Sequence, residues 1–300
     1  MPIYPPHYEY ARDFLRSFEK FKLDWQADMW FVFSNDADHL TFPEAKNAIV
    51  LPQNLELTRE AGVINIKKFY GLLQIKEKYE YILVIDSETL IVKKTDINTV
   101  CDDFFCKKIL WGNIPIDSDA YKITESCRRH SDFSEREGTI ENDSLHLWFN
   151  QPCIYKTSNL DDFFCKIEMP EKLGELTFWD FDYNIYMLYL MYNCDFRIEN
   201  IRQKSFGFAS SSVPLARPEY IRDGMYMATP LIWREVKKLG GGGKIFMFVN
   251  IDRANNKQYI PKTKCAIIYH FVFHCQRAIR CFVACFVPVK KWRKKIRGQK

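Results

Sequence analysis

The sequence predicts an α/β fold in which helices flank a mostly parallel central sheet. Its 300 residues, of which 47% are hydrophobic, are enough to build a sizeable core. From Met1 to Leu110, short and continuous apolar runs alternate with helical patterns. Such runs are typical of strands that are buried on both faces, and their alternation with helices is typical of parallel sheets. We therefore expect one domain, followed by a basic tail.

The first elements can be assigned in chain order. An extended start at Pro2–Tyr4 meets a pair of prolines, and apolar residues then recur at steps of three and four from Tyr8 to Phe21. This spacing puts them on one face of a helix. The apolar runs at Met29–Phe33 and Ala48–Leu51 predict two buried strands.

The next elements are a helix and a further buried strand. The pattern over Asn65–Glu77 is helical, and Tyr81–Ile85 is a short aliphatic run. Residues 112–146 are polar and predict loops with short elements, whereas Asp182–Asn193 predicts a helix that is dense in aromatic residues.

The remaining elements are predicted from shorter patterns. Strands are expected at Phe196–Ile201, Ile245–Val249 and Ala266–His270, and a helix at Leu231–Lys238 precedes the glycines at 240–243.

Bulk features exclude several protein classes. The segment Met1–Tyr10 lacks the basic start and apolar run of a secretory signal, and no window reaches the roughly 18 apolar residues of a membrane-spanning helix. Ten cysteines without a signal predict reduced thiols. Their spacings, such as Cys101 with Cys106, do not form the CxxC pairs of zinc sites.

The strongest chemical signal is the acidic segment after the strand at Tyr81–Ile85. Asp86 and Glu88 stand two positions apart at the carboxyl end of that strand. In open α/β sheets ligands bind at this edge, and alternate residues of an extended segment face the same way. The pair is therefore a candidate site for Mn²⁺ or Mg²⁺, which can bridge a diphosphate. The alternative is an ordinary acidic turn.

The order of several motifs resembles that of GT-A fold glycosyltransferases, in particular bacterial enzymes of surface-polysaccharide synthesis. Besides the acidic segment from Asp86 to Glu88, the similar stretches are Ile3–Tyr8, Ile66–Tyr70, Asp182–Tyr186 and Ile268–His270. The third of these has Asp where the family usually has Glu. Together the motifs cover residues 1 to about 275.

The resemblance implies a GT-A-like domain over residues 1–275, with a nucleotide-binding half (1–110) and an acceptor-side half (111–275). It implies a nucleotide-sugar donor, with UDP-sugars favoured, and a saccharide or lipid-linked acceptor. The metal ligands would be Asp86, Glu88 and His270. His270 ends an apolar strand, and its alternative role is structural.

Two carboxylates are candidates for the catalytic base on the acceptor side. The resemblance places Asp182 near the acceptor hydroxyl, and Asp180 lies two residues before it. A carboxylate can accept the proton of a hydroxyl that attacks the sugar. Either residue could instead cap the helix that follows.

The candidate donor contacts are polar residues that chain order brings to the same sheet edge. The alternative for them is turn formation, or a solvated lysine on a helix surface. They are His7, Tyr8, Ser34, Asn35, Lys68, Asp86 and Ser87.

A group of aromatic and amide side chains is a candidate wall for the acceptor, with the donor as the alternative ligand. Trp148, Asn150 and Gln151 lie close together before a proline. Sugars stack their apolar faces on aromatic rings and bond their hydroxyls to amides. Packing of the tryptophan in the core is the alternative.

The net charge of +5 is unevenly distributed. Residues 277–300 contain nine Lys or Arg and no acid, so residues 1–276 carry 34 basic and 38 acidic side chains. An acidic body argues against nucleic acid as a partner. The tail at 276–300 mixes apolar residues, Trp292 and cations, which favours an anionic membrane surface. A solvated tail and nucleic-acid contact are its alternatives.

The favoured function is a metal-dependent glycosyltransferase at the cytoplasmic, inner face of a membrane, to which it would be bound peripherally. One alternative is a nucleotidyltransferase or another metal-dependent phosphoryl-transfer enzyme, which shares the acidic strand end but needs no acceptor-side carboxylate at Asp182. Another is a non-catalytic carbohydrate-binding protein at a membrane.

Overall fold

The fold is mixed α/β. The computed structural model describes residues 1–91, 94, 96–113, 118–130, 148–149, 153–200, 224–228, 246–251, 279 and 282. Its helices are α1 (Tyr8–Lys20), α2 (Asp36–Leu40), α3 (Val63–Ile75), α4 (Ile97–Lys107), α5 (Ser118–Arg128), α6 (Leu160–Lys166) and α7 (Asp182–Asn193). Its strands are β1 (Trp30–Phe33), β2 (Asn47–Val50), β3 (Tyr81–Val84), β4 (Thr89–Ile91), β5 (Ile109–Asn113), β6 (Trp148–Phe149), β7 (Cys153–Lys156), β8 (Arg197–Asn200), β9 (Gly224–Ala228) and β10 (Phe246–Ile251).

The described strands form short sheets with both parallel and antiparallel pairs. β1 pairs in parallel with β2, and Pro2 forms a parallel bridge to Val32 on the other side of β1. β5 lies between parallel β8 and antiparallel β6, and β10 lies between parallel β9 and antiparallel β4. The expectation of an α/β fold is thus confirmed as a mixture of helices and strands with some parallel strand pairs. A single central sheet is not seen among these strands.

The strand that leads to the acidic segment has an antiparallel neighbour. β3 pairs with β7, with Val84 opposite Cys153 and Ile82 opposite Tyr155. Alternation of strands and helices in the first part of the chain did not predict this pairing, because β7 belongs to the second half. The pairing brings residues of β7 beside the carboxyl end of β3.

Amphipathic patterning explains the first helix, whereas α7 is buried almost all round. α1 buries Tyr8, Ala11, Phe14 and Phe18 along one face and packs against β4. In α7, every residue from Ile185 to Leu190 is buried. A helix that is apolar on all faces lies inside a core, and α7 lies in a core that it shares with α3.

The start of α3 is fixed to the loop before α7. The Gly62 N–H donates to the Leu176 carbonyl at 2.6 Å, and the Asn65 side-chain amide donates to the carbonyls of Thr177 (2.9 Å) and Phe178 (3.1 Å). Asn65 is 1% exposed, so these bonds satisfy a buried amide. They join two segments that are far apart in the sequence and set α3 beside α7.

Several predicted elements match their observed positions within a few residues. These are α1, β1, β2, α3, β3, α7, β8 and β10. Local patterns in the sequence did not predict α2, α4, α6, β4, β5, β6, β7 or β9. The helix α5 lies within residues 112–146, which were predicted to form loops with short elements. The predicted helix at Leu231–Lys238 and strand at Ala266–His270 lie outside the described residues.

The predictions on membrane-spanning helices, on cysteines and on the tail can be compared with the structure only for the residues that it describes. In the described residues, no helix is long and apolar enough to cross a membrane. Six cysteines are described, and all are free thiols: Cys101, Cys106, Cys127, Cys153, Cys165 and Cys194. Of the predicted tail, only Ile279 and Phe282 are described, and both are exposed.

Candidate functional site

The acidic segment lies at the carboxyl end of β3, as predicted, but it forms a turn rather than an extended strand. The Thr89 N–H donates to the Asp86 carbonyl at 3.0 Å, which closes a β-turn before β4 begins. The Asp86 side chain is 41% exposed, Glu88 is partly exposed and Ser87 is buried. The two carboxylates therefore occupy the first and third positions of a turn at the rim of the fold.

His7 joins this turn from the short 3-10 helix Pro5–His7, which follows the extended start of the chain. Its Nδ1 is 2.9 Å from the Ser87 Oγ, and its Nε2 is 2.5 Å from the Tyr4 hydroxyl. The Tyr4 ring lies 4.1 Å from the imidazole, between ring centroids. Two of the predicted donor contacts, His7 and Ser87, are thus in direct contact although 80 residues separate them in the sequence.

A buried ion-pair cluster lies next to this turn. The Lys68 Nζ, on α3, is 3.2 Å from the Asp86 Oδ1 and 3.1 Å from the Asp182 Oδ1, on the first turn of α7. The Lys68 side chain is 11% exposed and the Asp182 side chain is fully buried. Burial alone would lower the pKa of Lys68, but its attraction to the two carboxylates outweighs burial and raises it. Lys68 is therefore positively charged at neutral pH.

The other carboxylate oxygen of Asp182 is held from β7. The Tyr155 hydroxyl donates to the Asp182 Oδ2 at 2.7 Å, and the Cys153 thiol lies 3.6 Å from the same oxygen. Burial raises the pKa of both Tyr155 and Cys153, so both are neutral donors at pH 7. Asp182 is the first residue of α7, and its side chain does not cap the helix. In this structure it holds Lys68 and does not reach the surface.

Lys68 borders an apolar cavity. A cavity of about 200 Å³ lies among α1, α3 and β3, and Lys68 is one of its lining residues together with Phe14, Val32, Leu72 and Ile82. Apolar surroundings lower the local dielectric constant and strengthen charge interactions. The electrostatic attraction between Lys68 and Asp182 is therefore stronger than it would be in an exposed ion pair.

One buried amide near this cluster has no partner in the described part of the chain. Asn184 is 1% exposed, and neither its Oδ1 nor its Nδ2 has a hydrogen bond. Most buried polar atoms in proteins are hydrogen-bonded. Sequence reasoning did not single out Asn184, although it is a polar residue in an otherwise apolar helix.

Asp180 has a structural arrangement that differs from that of Asp182. Its Oδ1 accepts from Ser126 (2.6 Å) and from the His130 Nε2 (2.8 Å). Its Oδ2 accepts from both the backbone N–H (2.6 Å) and the hydroxyl (2.7 Å) of Thr177. Each carboxylate oxygen thus has two donors, and Asp180 fixes the loop before α7 to α5.

These bonds predict a pH dependence of stability. Burial alone would raise the pKa of the Asp180 carboxyl, but hydrogen bonds from His130, Ser126 and Thr177 lower it from 3.8 to about 2. A lowered pKa stabilises the fold above pH 4, and the contribution is lost as the pH falls towards 2. The quantity to compare is the difference in the free energy of unfolding, measured with urea, between the wild type and Asp180→Asn. We expect this difference to be about 2 kcal/mol smaller at pH 2 than at pH 5. An unchanged difference would contradict this.

Two of the remaining donor candidates, Tyr8 and Asn35, have contacts with α2. The Tyr8 hydroxyl donates to the Asp38 carbonyl at 2.6 Å, and the Asn35 side chain accepts from the Asp38 N–H at 2.8 Å and caps α2. Ser34 is partly exposed in the bend between β1 and α2. The Tyr8 contact joins α1 to α2, and the Asn35 contact caps α2.

The lysine before Lys68 has a separate role. The Lys67 Nζ donates to the Ile3 carbonyl at 2.6 Å, and burial lowers the pKa of this lysine to about 8. Lys67 therefore fixes α3 to the first extended segment, whereas Lys68 binds the carboxylates.

Several acceptor-side and metal candidates are described in part or not at all. Trp148 lies in β6, which pairs with β5. Asn150, Gln151 and His270 lie outside the described residues.

The carboxylates can be tested for their fit to a divalent cation. No group of three or more His, Cys, Asp or Glu with the arrangement of a metal site occurs among the described residues. However, Mg²⁺ is often bound by only one or two carboxylates together with water and substrate phosphates. Asp86 and Glu88 lie at the rim of the fold and offer hard oxygen ligands, so they fit an ion that binds together with a diphosphate.

The comparisons with known proteins identify no relative. No protein-family model, curated protein or solved structure matches the chain.

Proposed function

We propose that the protein is a glycosyltransferase with a GT-A-like fold, which moves a sugar from a nucleotide donor to a surface glycan or a lipid-linked saccharide. The supporting observation is the convergence of three separated elements on one charged cluster. Asp86, at the end of β3, and Asp182, on α7, both lie within ion-pair distance of the ammonium group of Lys68, on α3. These residues belong to three of the motifs that carry the resemblance.

The roles of the residues follow from their exposure and charge. The turn at Asp86–Glu88 is accessible and adjoins His7, so it is the side that a nucleotide diphosphate would approach. A divalent cation bound there, Mn²⁺ or Mg²⁺, would offset the charge of the departing diphosphate. Lys68 adds a fixed positive charge beside this turn, where negative charge develops during transfer.

The proposed location follows from charge. The body is slightly acidic, and residues 277–300 carry nine cations. We place the protein in the cytoplasm, bound peripherally to the inner face of the membrane by its tail. Each cation near an anionic surface contributes on the order of 1 kcal/mol. A lipid-linked acceptor would be reached there.

The test is nucleotide binding and transfer by the full chain, with Asp86→Asn as the variant. UDP, GDP and their sugar conjugates are screened by thermal shift with and without Mn²⁺. A ligand at 100 times its Kd stabilises the fold by about 2.7 kcal/mol, which raises Tm by several degrees. We expect Asp86→Asn to lower kcat/KM about 100-fold.

Glu19→Gln is the matched control, because Glu19 is an exposed carboxylate on α1. It should behave like the wild type. Folded Asp86→Asn protein that transfers at the wild-type rate would contradict the assignment of this carboxylate. A wild-type chain that binds no nucleotide would contradict the proposed function.

One observation favours phosphoryl transfer as a second candidate function. Asp182 is fully buried and bound by Lys68 and Tyr155, so it is not placed as a base for an acceptor hydroxyl. A nucleotidyltransferase needs no carboxylate there. The products separate the two functions, since a glycosyltransferase releases a nucleoside diphosphate from a nucleotide sugar, and a nucleotidyltransferase releases pyrophosphate from a nucleoside triphosphate.

A further inference from the structure

We propose that Lys68 is a catalytic residue that transfers its contact from Asp86 to the departing diphosphate, and that Asp182 and Tyr155 are positioning residues that hold it. This inference rests on the proposed function, and it assigns a role within the site to Asp182 that differs from that of a base.

The two ion pairs of Lys68 have different surroundings. Its ammonium group is at nearly the same distance from both carboxylates, at 3.2 Å from Asp86 and 3.1 Å from Asp182. However, the Asp86 side chain is 41% exposed, whereas that of Asp182 is fully buried. Water can replace Lys68 at Asp86 but cannot reach Asp182. The pair with Asp182 is therefore the permanent one, and the pair with Asp86 is the exchangeable one.

The net charge of the cluster supports the same division. One ammonium and two carboxylates carry a net charge of −1, and a buried carboxylate without a cation is very unfavourable. Asp182 therefore holds Lys68 more strongly than Asp86 does, because solvent stabilises the charge of Asp86 but does not reach Asp182. An ammonium group has three N–H donors, so one can stay on Asp182 while the others bind phosphate oxygens.

Asp182 is held in place from its second oxygen. The Tyr155 hydroxyl, 2.7 Å away, is a neutral donor that fixes the carboxylate without neutralising it. The direction of Asp182, and through it the position of Lys68, is set by β7, the strand that also pairs with β3. Lys68 and Asp86 are thus positioned by the same strand pair.

The chemical step balances with Lys68 as a stabiliser of the leaving group. The bond between the anomeric carbon and the phosphate oxygen breaks, and its electron pair stays on the diphosphate. The acceptor oxygen bonds to the anomeric carbon, and its proton passes to water. Lys68 gains a hydrogen bond to an oxygen whose negative charge grows, so its stabilisation is larger in the transition state than in the ground state.

The test is calorimetric binding of inorganic pyrophosphate and of UDP to the full chain, in EDTA and in Mn²⁺. The main variant is Lys68→Met with Asp182→Asn, which removes both buried charges together so that neither is left alone. We expect this variant to bind pyrophosphate at least 10-fold more weakly than the wild type in EDTA. Lys68→Arg should keep most of the affinity, because it keeps the cation.

Lys67→Met is the matched control, since Lys67 is the adjacent buried lysine and binds a carbonyl instead of the carboxylates. It should bind pyrophosphate like the wild type. For the positioning role, Asp182→Asn and Tyr155→Phe should each lower kcat about 10-fold and leave the acceptor KM unchanged. A purely structural role would reduce the folded fraction without changing either constant per folded molecule.

Two results would overturn the inference, and they differ in what they say about the proposed function. If the double variant binds pyrophosphate as tightly as the wild type while UDP binding remains, Lys68 is not the diphosphate contact and the proposed function stands. If the wild type binds neither UDP nor pyrophosphate under any condition, the proposed function fails and the inference fails with it.

Discussion

Lys68→Met alone is expected to lower the free energy of unfolding by about 3–5 kcal/mol, because it leaves a buried carboxylate without its cation. Asp182 has no solvent access, and Lys68 is the cation that it contacts in the described residues. Removing one partner of a buried pair costs more than removing both. Adding Asp182→Asn should therefore restore a large part of the stability. Urea unfolding at pH 7 measures both effects.

The pH dependence of this contribution has a defined sign. The pKa of Lys68 is raised in the folded chain, so its stabilising effect is complete below the unfolded pKa of about 10.4 and is lost only at higher pH. The double variant Lys68→Met with Asp182→Asn leaves no buried carboxylate unpaired, so the difference in the free energy of unfolding between it and the wild type should stay constant from pH 6 to pH 9.

Lys67→Met provides the comparison within the same helix. It removes a charge that burial already disfavours and one hydrogen bond to a carbonyl, which together amount to about 1 kcal/mol. If Lys67→Met and Lys68→Met lower the free energy of unfolding equally, the contacts of Lys68 with the carboxylates do not account for its contribution to stability.

Gly62→Ala is expected to cost about 3 kcal/mol and to weaken the site, because an added methyl group would force α3 away from the loop before α7. A Cβ at Gly62 would lie 2.3 Å from the Thr177 carbonyl oxygen and 2.5 Å from the Phe178 nitrogen. Both are backbone atoms, which cannot rotate aside. Because α3 carries Lys68 and the loop leads to Asp182, the movement would lengthen their ion pair. Urea unfolding and pyrophosphate binding measure the two effects.

Gly71→Ala is the matched control in the middle of the same helix. Its Cβ would lie 3.0 Å from a methyl group of Val32, which is a side chain that can adjust. Alanine also favours a helix over glycine by about 1 kcal/mol. We expect little change or a small gain in stability. A loss at Gly71→Ala as large as that at Gly62→Ala would contradict the steric explanation.

Elements with strong local patterns could be predicted from the sequence. α1, α3 and α7 have apolar residues at helical spacing, and β1 and β3 are continuous apolar runs closed by polar residues. Helical spacing and apolar runs depend only on residues that are near one another in the sequence. They can therefore be recognised without knowledge of the tertiary fold.

Strand pairing could not be predicted in the same way. β7 is a short strand after a proline, and its pairing with β3 depends on contacts between distant parts of the chain. Alternation of strands and helices favoured a parallel neighbour for β3. The antiparallel pairing depends on the core that β7 shares with α7, and no local pattern carries that information.

The candidate site was predictable as a set of residues but not as a set of contacts. Position at a strand end identified Asp86 and Glu88, and the motif order identified Lys68 and Asp182. The shared ammonium contact depends on packing of α3 against α7. Tyr155 was missed because a tyrosine in an apolar segment is usually a core residue, and only its hydrogen bond to Asp182 distinguishes it.

The two ion pairs of Lys68 also differ in when they can form during synthesis. Asp86 follows Lys68 within about 1–4 s at about 5–20 residues per second, whereas Asp182 follows roughly 100 residues later, after about 5–20 s more. Throughout this interval the apolar face of α3 lacks α7 as its cover. The nascent first half of the chain therefore exposes apolar surface of the kind that chaperones bind, and the site can be completed only after α7 has been translated.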